Sequence, residues 1–113
     1  MWRQFEDEDG GTIGRRGSED GIILRDEEHD AGARITLERE CGARRIPFAI
    51  TCGIYGWFVH TRFLGPEAEV EFPAMQEGLA AILDIIPYKN DPDVDAKMIS
   101  VGDAVRAFVD RFP

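Results

Sequence analysis

The sequence predicts an α+β protein, a four-stranded antiparallel meander followed by two C-terminal helices packed on one of its faces. Apolar residues recur in steps of two between residues 21 and 64 and in steps of three and four from residue 72 onward. All the strands precede the helices, so no helical crossover is available to make the sheet parallel. At 113 residues the chain fits one domain with a single core.

Residues 1–20 join an acidic run, Glu6 to Asp9, to Gly10, Gly11, Gly14 and Gly17. This composition reads as a flexible arm or a short edge strand near Thr12–Arg16, ahead of one α+β domain over residues 21–113. Ile22 and Leu24 begin the first main strand. Ala33, Ile35 and Leu37 alternate with Arg34, Thr36 and Glu38 in the second, and the polar stretch 26–32 connects the two. After the break at 41–45, Ile46 to Cys52 form the third strand. Gly53, Ile54, Tyr55 and Gly56 read as a four-residue hairpin loop leading into a fourth strand, Trp57 to Leu64.

Beyond Gly65-Pro66, the residues Phe72, Met75, Leu79, Ile82, Leu83 and Ile86 fall on one helical face, with Pro73 suited to the first turn and Pro87 to the stop. Residues 88–97 read as a polar loop. Ser100 with Asp103 resembles a capping box, and Val101, Ala104, Val105, Phe108, Val109 and Phe112 give the last helix its apolar face. The expected core is Ile22, Leu24, Ile35, Leu37, Phe48, Ile50, Val59, Phe63, Leu79, Ile82, Phe108 and Val109.

The stretch from Ile46 to Leu64 carries one charge, Arg62, and holds His60 and Cys52, one each of only two histidines and two cysteines. A loop at 53–56 sets Cys52 opposite Trp57 and Ala49 opposite His60, so Cys52 and His60 are expected on opposite faces. That separation argues against a thiol nucleophile with a histidine base. The face left uncovered by helices would then present Arg34, Thr36, Glu38, Thr51, Phe58, His60 and Arg62, beside Ala49 and Leu64. Aromatic, His and Arg side chains together on an open sheet face mark a candidate ligand or partner surface, against the plain alternative of a solvated face. Two function classes follow. One is a non-enzymatic interaction protein, a homodimer that buries Phe58 and Leu64. The other is a small-ligand-binding protein or enzyme in which His60 acts as acid–base group, Arg62 and Arg34 hold an anion and Thr51 orients it.

The net charge of −9 opposes nucleic-acid binding and leaves a basic partner as the complementary choice. Two cysteines make no disulfide framework, the charged start lacks a secretory apolar stretch, and the apolar runs are too short to span a bilayer, so a cytoplasmic protein without a membrane segment is expected. No metal or cofactor is expected. Asp91, Asp93 and Asp95 have the opening spacing of a calcium loop, but Ala96 stands where the turn needs Gly and Gly102 where it needs a bidentate Glu. They fit better as the start of the last helix.

Overall fold

The computed structural model describes all 113 residues. Its seven strands are β1 (Trp2–Gln4), β2 (Glu6–Asp7), β3 (Gly10–Gly11), β4 (Ile22–His29), β5 (Ala33–Cys41), β6 (Ile46–Ile54) and β7 (Phe58–Leu64), followed by α1 (Ala68–Leu83) and α2 (Val94–Arg111). The main sheet is antiparallel in the order β1-β4-β5-β6-β7, and β2 with β3 forms a separate two-stranded ribbon. The fold is therefore α+β, with the meander of β4 to β7 extended by β1 to five strands. The edge strand is Trp2–Gln4. Of the expected segment Thr12–Arg16, only Arg16 makes a bridge, to Ile22.

The polar stretch 26–32 is mostly strand rather than loop, because its charges find tertiary partners. Arg25 lies over the Phe72 ring at 4.1 Å, Glu27 accepts from Gln76 at 2.8 Å, and Asp26 is buried in an ion pair with Arg34. A bulge between Ile23 and Arg25 makes Leu24 the extra residue. Leu24 is consequently exposed, Arg25 takes the helix-facing position opposite Leu37, and Ile23 is buried on the outer face opposite Glu38.

The largest departure from expectation lies in the hairpin of β6 and β7. Its loop is Tyr55–Gly56–Trp57, three residues, closed by the Trp57 N–H donating to the Ile54 carbonyl with Gly56 at φ 81°. Ile54 therefore pairs with Phe58, and Cys52 pairs with His60. One residue fewer in the loop inverts the faces of β7. Phe58, His60, Arg62 and Leu64 turn toward the helices, while Val59 and Phe63, expected in the core, are 80% and 53% exposed. Between β5 and β6 the pairing is Leu37 with Ile50, two residues from the expected match with Phe48. A slip of two preserves the faces, so Arg34, Thr36, Glu38 and Thr51 stay on the outer side.

Both helices cover the other face. Phe72, Met75, Leu79 and Ile82 of α1 join Ile35, Leu37, Ile50, Cys52 and Ile54 of the sheet, and Val101 and Phe108 of α2 with Phe112 just beyond it complete the core. Phe58 packs edge-on against Phe108 with ring centroids 5.7 Å apart. The helices begin earlier than periodicity indicated. Pro73 is the sixth residue of α1, not in its first turn, and α2 starts at Val94, leaving Ser100 inside the helix with its hydroxyl donating to the Ala96 carbonyl. Asp91 organises that start, as its Oδ1 accepts the Asp93 N–H and its Oδ2 pairs with Lys97. No helix is long and apolar enough to cross a membrane.

Gly53 tests the hairpin. A Cβ there would sit 2.3 Å from the Phe58 carbonyl oxygen, a backbone atom that cannot rotate aside. Gly53→Ala is expected to cost about 3 kcal/mol in urea denaturation. Gly102→Ala, on the exposed surface of α2 with nothing within 4 Å, should instead stabilise by about 1 kcal/mol. Equal effects at the two sites would contradict the hairpin geometry.

Candidate functional site

The outer face of the sheet is partly roofed by the first 21 residues. Thr12 donates its hydroxyl to Asp26 Oδ2 at 2.7 Å, and Arg34 grips the same carboxylate with Nε at 2.9 Å and Nη2 at 2.7 Å. Phe5 lies on the other side of the Arg34 guanidinium, 3.6 Å from centroid to Cζ. Asp26 is fully buried, and its hydrogen bonds push the Arg34 guanidinium still further above its ordinary range. Farther along, the buried carboxylate of Glu38 accepts the N–H groups of Glu19 and Gly21, each at 3.1 Å. Gly17 passes so close over it that a Cβ would come within 2.4 Å of the Glu38 carboxyl, which makes glycine a matter of space there.

Between this roof and the sheet lies a cleft of about 800 Å³, within the range of small-molecule sites. Thr36, Thr51 and Gly53 form its floor, and Ile23, Tyr55, Trp57 and Val59 supply apolar walls; Arg15, Arg16 and Arg34 line it too, each paired with a carboxylate, of Asp7, Asp20 and Asp26. Arg15 is steadied by Asp7 at 2.9 Å, and the Asp9 N–H, with Arg15, holds the Asp7 carboxyl below its usual range. The Arg34 fork holds Asp26 through Nε and Nη2, and the Tyr55 hydroxyl and Glu28 lie beside the same guanidinium. The floor hydroxyls are linked, Thr36 donating to the Thr51 carbonyl at 3.4 Å and Thr51 meeting Thr61 at 3.2 Å.

Of the seven residues expected to share one surface, Arg34, Thr36, Glu38 and Thr51 line this cleft. His60 and Arg62 do not project into it. Phe58 touches the cleft's end, although its ring packs among the helices. His60 Nε2 is hydrogen-bonded to the Phe112 carbonyl, which can only accept, so Nε2 carries the proton. Arg62 is 7% exposed and donates to the Pro113 carbonyl and to Glu71. Both side chains clamp the end of α2 against β7.

The inverted register also makes Cys52 and His60 direct cross-strand partners on the same face, where opposite faces were expected. Their proximity creates no nucleophile. Cys52 is 2% exposed, and burial pushes its thiol from 9.0 up to about 12, the nearby Arg62 charge only partly opposing this. Cys41 is raised in the same direction, again by burial first. No three His, Cys, Asp or Glu side chains converge as a metal site would require.

Sequence reasoning missed Asp26, Thr12, Phe5 and Gly17. Asp26 was hidden in a charged run that looks like a loop, and Gly17 in a glycine-rich stretch that reads as a flexible arm. In comparisons with protein-family models, curated proteins and solved structures, the chain has no significant match. The fold and cleft define an α+β protein with a roofed sheet face, and function rests on that geometry.

Proposed function

We propose that this is a non-enzymatic binding protein whose cleft between the N-terminal arm and the outer sheet face holds a small organic anion. The observation that supports it is the Arg34 guanidinium, fixed by Asp26 and Phe5 in the lining of a cleft with an apolar wall. A pre-positioned arginine loses little freedom on binding, so its contact adds affinity at low entropic cost. Thr51 and Thr36 orient the anion from the floor, and Trp57 with Val59 covers its apolar body. A binding role is favoured over catalysis because His60 is engaged with Phe112 and Glu38 with two backbone N–H groups, which leaves no acid–base pair in the cleft. Two free, buried cysteines accord with a cytoplasmic setting.

The test uses 1-anilinonaphthalene-8-sulfonate, an aromatic sulfonate, followed by fluorescence and by amide chemical shifts. The expected result is saturable binding with shifts at Thr36, Thr51 and Gly53, weakened at least tenfold, about 1.4 kcal/mol, by Thr51→Phe, whose ring fills the floor. Shifts confined to the groove between α1 and α2, or affinity unchanged by Thr51→Phe, would refute the proposal.

A further inference from the structure

The strand β7 is hydrogen-bonded on one side only, to β6, and forms the open edge of the main sheet. Native edges of this length are usually blunted by Lys, Pro or a bulge. This one has none: its seven residues, Phe58 to Leu64, pair with β6 in unbroken register. In an antiparallel strand alternate residues direct their N–H and C=O groups away from the neighbour, so β7 offers a row of unpaired backbone groups. Its one charged residue, Arg62, is turned inward and paired with Glu71 and the end of α2, so no charge stands on the exposed side of the strand.

Three features identify the occupant. The strand is self-complementary about Thr61: if residues whose numbers sum to about twice 61 face each other, Val59 meets Phe63 twice on the outer face and Thr61 meets itself. On the helix face Phe58 meets Leu64 and His60 meets Arg62, twice each, His60 and Arg62 being already held by Phe112 and Pro113. Val59 and Phe63 are also the large apolar residues that this sheet leaves most exposed, at 80% and 53%. Finally, a chain of net charge −9 repels its own copy over most of its surface, yet residues 46–64 contain no acid at all.

We infer that β7 pairs antiparallel with β7 of a second copy, across a two-fold axis through Thr61, to form one continuous ten-stranded sheet with all four helices on the same side. The pairing sets Phe63 of the partner subunit opposite Val59, a residue of the cleft wall. Each cleft then gains an apolar side chain from the other copy. The pairing itself stands whether or not the cleft binds an anion.

An interface of this modest size gives micromolar association, so the weight-average mass in sedimentation equilibrium should rise from monomer toward dimer between about 10 µM and 1 mM. Val59→Lys/Phe63→Lys places charge on two exposed positions and should remain monomeric throughout with an unchanged melting temperature. Thr61→Cys should form an intermolecular disulfide under mild oxidation, because the two-fold pair brings its Cα atoms to about 5 Å, within disulfide reach. A wild-type protein monomeric at 1 mM overturns the inference. So does a dimer that survives the double lysine substitution, and a dimer whose Thr61→Cys form does not cross-link overturns the register.

Discussion

Asp26→Ala is expected to destabilise the protein by about 3 kcal/mol and to release the N-terminal arm from the sheet. Asp26 is fully buried and accepts three hydrogen bonds, from Thr12 Oγ1 and from Arg34 Nε and Nη2. Removing one partner of a buried pair costs about 3–5 kcal/mol because the other charge is left without compensation, and the lower end applies here since Arg34 is 36% exposed. The same substitution also takes away the anchor of Thr12, so amide exchange over residues 12–21 should accelerate more than in the helices. Replacing both charges, in Asp26→Leu/Arg34→Met, should recover most of the loss, as apolar replacements of buried pairs commonly do. A cost under about 1 kcal/mol for Asp26→Ala, or no recovery in the double variant, would show that the pair does not hold the roof. Because the cleft lies beneath that roof, Asp26→Ala should weaken anion binding together with stability. Thr51→Phe should weaken binding alone.

Alkaline pH is expected to destabilise the fold through Cys52. The thiol is pushed from 9.0 up to about 12 in the folded protein, chiefly by burial. A raised folded-state pKa favours the protonated thiol, so its contribution is complete below pH 9 and is lost as pH rises toward 12, once the unfolded chain ionises and the folded one does not. The gap of about three pH units corresponds to about 4 kcal/mol at its full extent, or about 1.4 kcal/mol for each pH unit between 9 and 12. Urea denaturation at pH 8, 9, 10 and 11 reads this slope. In Cys52→Ala the part due to the thiol should vanish, while the part due to other groups, such as the Tyr55 hydroxyl raised by burial and by Glu28, should remain. At pH 8 Cys52 should resist a thiol reagent until the chain is unfolded; rapid labelling of the native protein would contradict its burial.

Much of the fold was legible without coordinates. The alternation of Ile35 and Leu37 with Arg34, Thr36 and Glu38 established which side of β5 faces the core, because side chains on a strand change face at every residue whatever the neighbouring strand does. Likewise Phe72, Met75, Leu79 and Ile82 identified the buried stripe of α1. The Asp91 region reads as a loop whose Asp residues help to start the last helix, and Asp91 does accept the Asp93 N–H, but α2 already begins at Val94, inside that loop. Four members of the cleft followed from β5 and β6 alone. Boundaries were less legible: α1 begins earlier than its large apolar residues indicate because the buried residue at its start, Ala68, is too small to mark the stripe, and α2 because its first turn is mostly exposed.

By itself the sequence determined the class of fold, the faces of β5 and β6 and the apolar stripes of the helices, all of which depend on spacing within one element. Only the tertiary structure decided the face of β7, the partners of the charges at Arg25, Asp26 and Glu27, and the roof that turns an open sheet face into a cleft. The pattern of β7 is apolar on both sides, with Phe58 and Leu64 on one and Val59 and Phe63 on the other, so alternation within the strand could not choose between them. A hairpin loop of three residues and the packing of Phe58 on Phe108 made that choice. His60 and Arg62 thereby became supports for α2, and β7 was left with an apolar outer edge. The charges of β4 could not be placed from sequence either, because what keeps Asp26 buried is Arg34 across the strand pair and Thr12 far along the chain.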